Sequence, residues 1–384
     1  MINAEPIRMF RRRFLPLFGG VLLLAGLRPA LRSTASAVAA RPALAQNPAN
    51  DVCLACHGQP GMTTTLPSGE TLYLTVDPQV YNNSVHGVNN QACTDCHVET
   101  SGYPHPTFQE QGVTTRRTLS LKLYRAACVQ CHQDQYNAAL DGVHDKALAA
   151  GDSNAAICTD CHGTHNITPP NQPRSRESQM CERCHSEIFE LYKQSVHGAA
   201  LLGEGNPDVP GCIDCHQVHS VEGPSSSGSF HLFSPEICRR CHADRTLMGK
   251  YNISADVFDT YVADFHGTTV ALFQKASPDQ QTNKPVCIDC HGVHNMRMVD
   301  DPESTVIKEN LLATCQKCHP DATSNFPTSW ISHYRPDPKR APLVFFVNLF
   351  YAILIPAVLG VMVILVVLDV RKRIASRRKE RQHA

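Results

Sequence analysis

The sequence predicts a mainly α-helical domain with little regular secondary structure, followed by one C-terminal transmembrane helix. Three observations predict it. All eighteen cysteines fall in nine C-x-x-C-H pentapeptides. Spread along the chain, 26 prolines and 22 glycines leave room for short helices joined by long loops. Near the end, Leu343 to Leu368 forms a run of 26 residues without a charge, enough to cross a hydrocarbon layer of ~30 Å with some tilt.

The pentapeptides carry the chemistry. They are Cys53, Cys56 and His57; Cys93, Cys96 and His97; Cys128, Cys131 and His132; Cys158, Cys161 and His162; Cys181, Cys184 and His185; Cys212, Cys215 and His216; Cys238, Cys241 and His242; Cys287, Cys290 and His291; and Cys315, Cys318 and His319. This spacing is the attachment signal for c-type haem, in which two thiols form thioethers and the adjacent histidine binds iron on one face. Paired cysteine knuckles also bind zinc. Zinc, however, needs no histidine directly after each second cysteine, and every pair here has one. The count predicts nine covalently attached haems and a haem-packed domain. A stretch of about 290 residues so divided lacks the sequence for an ordinary aliphatic core, so folding and haem attachment are expected to be coupled.

Both ends read as membrane-directing segments. Residues 1–45 have the parts of a signal peptide: basic Arg8, Arg11, Arg12 and Arg13, an apolar stretch from Phe14 to Leu27, and Ala43-Leu44-Ala45 before Gln46. Cleavage near Ala37 or Ala39 is the alternative, and an uncleaved anchor a further one. The nine-haem domain is assigned to 46–340, the transmembrane helix to 341–370 and a basic cytoplasmic tail to 371–384. Arg371, Lys372, Arg373, Arg377, Arg378, Lys379 and Arg381 place that tail inside. The expected topology is a single pass through the cytoplasmic membrane, with haems on the periplasmic side. Trp330, Tyr334, Phe345 and Phe346 lie where an interfacial aromatic belt is expected.

The formal charge of zero hides an asymmetry. Between Gln46 and Arg340 there are 21 Lys and Arg against 32 Asp and Glu, a net of −11. Such a field argues against nucleic acid as a partner and favours basic redox proteins.

One hairpin is expected, with Thr63 to Leu66 and Thr71 to Val76 flanking Pro67-Ser68-Gly69. Beyond it the chain repeats four times. Each unit has an isolated histidine, a C-x-D-C-H motif, a second isolated histidine and a second pentapeptide. The isolated histidines are His86 and His105, His144 and His165, His197 and His219, and His266 and His294. Asp95, Asp160, Asp214 and Asp289 hold the same place in each leading motif, where a local turn or cap would use them. If every iron is six-coordinate, nine ligands are needed on the opposite face. The four units supply eight, and His333 supplies the ninth. His231 is left as a solvated spare, and His383 lies beyond the span. His162 and His165 are three residues apart, so on a helix they project from one face and cannot approach one iron from opposite sides. Each isolated histidine should therefore serve a haem other than its sequence neighbour's. Which one it serves is left open.

The phrases SVHG (Ser84–Gly87 and Ser195–Gly198), CTDCHGTHN (Cys158–Asn166) and CIDCHGVHN (Cys287–Asn295) resemble bacterial multihaem cytochromes c of respiratory chains. That superfamily includes the octahaem tetrathionate-reductase and hydroxylamine-oxidoreductase groups and small membrane-anchored quinol dehydrogenases. The resemblance covers roughly residues 51 to 335. It is nearest to multihaem domains that precede a cytochrome b-type membrane portion in quinone-linked complexes. Here any b-type portion would be a separate subunit, since the span contains no histidine to hold such a haem. The pattern departs in unit one, where eight residues separate His97 from His105, and at Asp145, which replaces glycine after His144.

The resemblance implies electron transfer between a quinone-linked membrane partner and extracytoplasmic redox proteins in anaerobic-type respiration. The alternative is a catalytic oxidoreductase acting on a small nitrogen or sulfur compound at one five-coordinate haem. The ligand count does not require such a haem. Met62, Met180, Met248, Met296 and Met298 do not recur with the repeat, so each is expected to serve packing.

Overall fold

A computed structural model describes residues 47–383, apart from 101, 222–228, 277–283, 331, 332 and 340. The signal segment expected over 1–45 lies outside the described residues. The molecule is about 54% helical, and among the described residues the only sheet is one two-stranded hairpin. Thr63–Thr65 pairs antiparallel with Thr71–Tyr73, Thr64 opposite Leu72. Leu72, Leu74 and Val76 turn to the half-buried side while Thr71, Tyr73 and Thr75 are exposed, the alternation a half-covered strand requires.

Each repeat unit folds as a series of short helices. A first helix (Pro78–Asn82, Gln133–Leu140, Ser186–Lys193 or Val257–Ala263) turns sharply into a second (Val85–Val88, Val143–Ala149, Val196–Gly198 or Phe265–Ala276) that carries the first isolated histidine near its start. The leading pentapeptide then forms its own one-turn helix: Cys93–Cys96, Cys158–His162, Cys212–His216 and Cys287–His291. The aspartate inside each of these accepts the N–H three residues before it. Asp95 takes Ala92 (2.8 Å), Asp160 Ile157 (2.8 Å), Asp214 Gly211 (2.6 Å) and Asp289 Val286 (2.7 Å). The cap read from the sequence is thus their structural role.

The aliphatic core is small. Few apolar side chains are buried, and they are scattered; among the described residues the one cluster is Leu232, Val270 and Val286, with Ile288 against it. Pro342–His383 is a single helix of 42 residues, about 63 Å long. It runs through both the expected span and the basic tail. Within Pro342–Ser376 an 18-residue stretch reaches a mean hydropathy of 2.9, and none of its residues is buried within the chain. It is compatible with a single-pass membrane anchor. Trp330, in the stretch expected to form an aromatic belt, donates its indole N–H to Asp264 Oδ2 (3.0 Å), and its ring meets His333 edge-on.

Candidate haem sites

The eighteen histidines singled out in the sequence come together as nine pairs. Each joins one pentapeptide histidine to one isolated histidine, with ring centres 5.9–6.3 Å apart. The pairs are His57 with His105, His132 with His86, His97 with His165, His185 with His144, His162 with His219, His242 with His197, His216 with His294, His319 with His266, and His291 with His333. His162 and His165 stand in different pairs. The two departures noted in the sequence, His105 and His144, are paired like the rest.

The partners follow one rule. The isolated histidine before a leading motif faces the trailing motif of its own unit. The isolated histidine after a leading motif faces the leading motif one unit earlier. By that rule His105 reaches back to the first pentapeptide, and His333 closes the leading motif of the fourth unit. His231 is paired elsewhere: its Nε2 meets Asp289 Oδ2 at 2.8 Å. It occupies the role that Arg117 has toward Asp160 (2.8 Å) and Arg174 toward Asp214 (2.6 Å).

Local sequence explains how each class is held. The first class starts a helix. Ser84 and Ser195, both buried, accept the N–H of Gly87 and Gly198 (3.0 Å each), fixing His86 and His197 in the first turn. The glycine after the histidine is demanded by packing, because a Cβ on Gly87, Gly198 or Gly267 would lie 2.0, 1.8 or 2.1 Å from the carbonyl oxygen of Tyr81, Tyr192 or Tyr261. In unit two, where Asp145 follows His144, a close approach is found at Gly142, whose Cβ would lie 2.8 Å from His219 O. The second class follows a backbone reversal. Gly163, Gln217 and Gly292 cap the leading helices with φ of 79°, 69° and 78°, and the isolated histidine stands two residues on. The units then clip together: Val85 N–H donates to Ile167 O (2.8 Å), Val143 to Val221 O (2.9 Å) and Val196 to Met296 O (2.8 Å).

Sequence reasoning missed three tyrosines. Tyr81, Tyr192 and Tyr261 each stand five residues before an isolated histidine. Their hydroxyls donate to Gln91 O (2.8 Å), Pro210 O (2.8 Å) and Pro285 O (3.0 Å), each two residues before the leading motif. They tie the helix that precedes the isolated histidine to the next haem motif. The recurring Y-x-x-[S/D]-x-H-G would have revealed them.

Burial lowers the basicity of most of these imidazoles, to about 4 for His165, His197 and His291, where desolvation leads and a facing imidazole adds to it. The neutral form is thereby favoured, and that form offers a lone pair to metal. His57 Nδ1–H donates to Leu74 O (2.9 Å), which leaves its other ring nitrogen free. Cysteines of successive motifs also adjoin. Cys53 lies beside Cys93, Cys128 beside Cys158, Cys181 beside Cys212 and Cys238 beside Cys287. Cys96 lies in electrostatic range of Cys131, Cys161 of Cys184, Cys215 of Cys238 and Cys290 of Cys315. Each motif therefore neighbours the next.

The residues fit haem. Metal–imidazole bonds of about 2.0–2.1 Å on each face, with about 1.2 Å from nitrogen to ring centre, would put ring centres about 6.4–6.6 Å apart. The nine pairs, at 5.9–6.3 Å, lie within about 0.7 Å of that spacing. Eight of them line one continuous cavity of about 3390 Å³, far above the ~300–1,000 Å³ of a single small-molecule pocket. The His266–His319 pair is not among its walls. Arg174 Nε is buried on this cavity without a partner, a free donor suited to the carboxylates a haem carries. Among the described residues no three or more His, Cys, Asp or Glu side chains converge as a metal-ion cage, so the donors are arranged in twos.

Paired imidazoles beside the paired cysteines of C-x-x-C-H motifs are the donor set of a c-type haem site. Residues 150–243 match the family model of cytochrome c3. The multihaem cytochrome MtrA of Shewanella baltica is 25% identical over 199 residues, which cover 51% of this chain and 53% of that protein. The chain thus spans about half the length of the curated relative it matches. No solved structure matches it. In its motifs and in these two matches the chain is similar to bacterial multihaem cytochromes c.

Proposed function

We propose that this chain is a nine-haem, membrane-anchored electron conduit. It would carry electrons between a quinone-linked membrane subunit and extracytoplasmic redox proteins. The observation that carries the reading is the set of nine histidine pairs at 5.9–6.3 Å. In this reading all eighteen paired histidines are iron ligands, two per haem. Bound haem supplies one-electron chemistry, cycling between ferric and ferrous iron. The chain's own residues do the rest. Cysteines of consecutive motifs would hold the groups side by side in sequence order, and the paired imidazoles would ligate each iron with two histidines, leaving no place for a substrate. The acidic 46–340 segment attracts basic partners, and the apolar helix anchors the haem domain on the periplasmic side of the cytoplasmic membrane. Relatedness to MtrA supports a role among redox partners without naming them.

The test uses the full chain matured in a host that attaches haem and purified in detergent. Intact mass should exceed the processed polypeptide by nine haems, and the ferric protein should be wholly low-spin. A menaquinol or ubiquinol donor with the membrane fraction should then reduce the haems. Eight or fewer haems would contradict the count. A stoichiometric high-spin signal that shifts on adding nitrite, hydroxylamine or sulfite would select catalysis at a five-coordinate haem instead.

A further inference from the structure

The nine histidine pairs differ in the angle between their rings, and the difference follows the repeat. Where the isolated histidine comes from a loop and closes the leading motif of the preceding unit, the ring planes are 32°, 29°, 36°, 21° and 24° apart. Where it starts a helix and closes the trailing motif of its own unit, the angles are 58°, 43°, 61° and 45°. The two sets do not overlap. The five flatter pairs belong to pentapeptides one, two, four, six and eight, and the four crossed pairs to three, five, seven and nine.

Each class has a backbone cause. A histidine in the first turn of a helix has a ring direction set by the helix axis and its cap, as Ser195 sets it for His197. A histidine two residues beyond a positive-φ reversal, as His165 is beyond Gly163, leaves the chain on a different bearing. The motif histidines differ too. His132 and His185 cap a following helix, whereas His162, His216 and His291 end the one-turn helix of their own motif.

Resting on the two-histidine ligation proposed above, we infer that the chain builds two kinds of redox centre that alternate along it from the second motif to the ninth. An imidazole donates π density to the iron d orbital perpendicular to its plane. Nearly coplanar rings load one orbital, split the pair and stabilise the ferric state. Crossed rings share the load between two orbitals, leave them closer in energy and stabilise the ferric state less. The crossed centres therefore hold an electron more readily. An electron moving along the chain meets alternating acceptors rather than a uniform row, and partial reduction loads alternate positions first.

Electron paramagnetic resonance of the fully oxidised, full-length protein in detergent reads the two classes directly, without any turnover. Two low-spin families are expected in a 5:4 ratio: one with rhombic signals, the other with a larger maximal g value. In a redox titration the larger-g family should disappear first as the potential is lowered. Two variants assign the families. His197→Met should remove intensity from the larger-g family and leave the rhombic one whole, and His165→Met should do the reverse. A single family of nine low-spin haems, or loss from the same family in both variants, overturns the alternation while keeping two-histidine ligation. High-spin iron in the unaltered protein overturns the ligation reading itself.

Discussion

Gly198→Ala places one methyl group where the chain has no room for it. The Cβ would stand 1.8 Å from Tyr192 O, 2.5 Å from Tyr192 C and 3.0 Å from Lys193 Cα. All three are backbone atoms at the end of the preceding helix, so no side chain can swing aside. Relief to 3.0 Å, the shortest separation real Cβ atoms show, requires a displacement of at least 1.2 Å. The moving part is the first turn that carries His197, whose ring lies 6.2 Å from that of His242. A shift of that size is more than half of a metal–nitrogen bond of about 2.0–2.1 Å, so the seventh haem should lose its second ligand. Overpacking of this kind costs about 1–3 kcal/mol. Thioether attachment uses Cys238 and Cys241, which the change does not touch, so haem content should stay at its unaltered value. The expected result is a high-spin signal equal to one haem and a lowered thermal midpoint. Gly203→Ala is the matched control, since nothing lies within 4 Å of its Cβ. A wholly low-spin spectrum with an unchanged midpoint in Gly198→Ala would refute both the tight seat and the role of His197.

Gln217 holds φ 69° and ψ 171°, a region that suits glycine, where units two and four have Gly163 and Gly292. Gln217→Gly should stabilise the domain by roughly 1 kcal/mol, read as a raised thermal midpoint. His333→Met should raise the potential of one haem only, the eighth, because His333 faces His291 and a thioether favours ferrous iron; potentiometric titration measures it. Tyr192→Phe and Tyr261→Phe should each cost about 1–2 kcal/mol in chemical denaturation, since each leaves a proline carbonyl without its donor. Burial pushes the Tyr81 phenol up from 10.0 to about 12. The unfolded chain thus ionises first, and the stability Tyr81 contributes, complete below pH 10, is lost as pH rises toward 12. Tyr81→Phe should flatten that part of the pH profile.

Much of this was legible because haem attachment writes itself into adjacent residues. The pentapeptides, the repeat, the hairpin and the capping aspartates all depend on local spacing. The choice of partner for each isolated histidine does not. His165 faces His97 across 68 residues of sequence, a pairing set by how units stack and by clips such as Val85 to Ile167. Nor could composition separate His231 from a spare ligand. Its role appears only when Arg117 and Arg174 are seen holding the same aspartate in the two preceding units. For Trp330, closeness to the apolar helix in sequence says nothing about Asp264, the acceptor of its indole N–H. The tyrosines were missed for a simpler reason. They recur in three units only, Ala139 standing in the second.

The borrowing of a histidine from the following unit means that no unit is finished by itself. Each leading motif waits for the next stretch of chain to arrive, and the fourth would wait indefinitely but for His333, which lies outside the repeat. That residue works as an end-piece, in the way a terminal module closes a stacked array. A shorter or longer conductor could then be made by removing or inserting whole units upstream of it, for example from the His144 helix to the trailing motif at His185. A cut anywhere within a unit would strand two motifs at once. Length in this protein would thus change by two C-x-x-C-H motifs at a time.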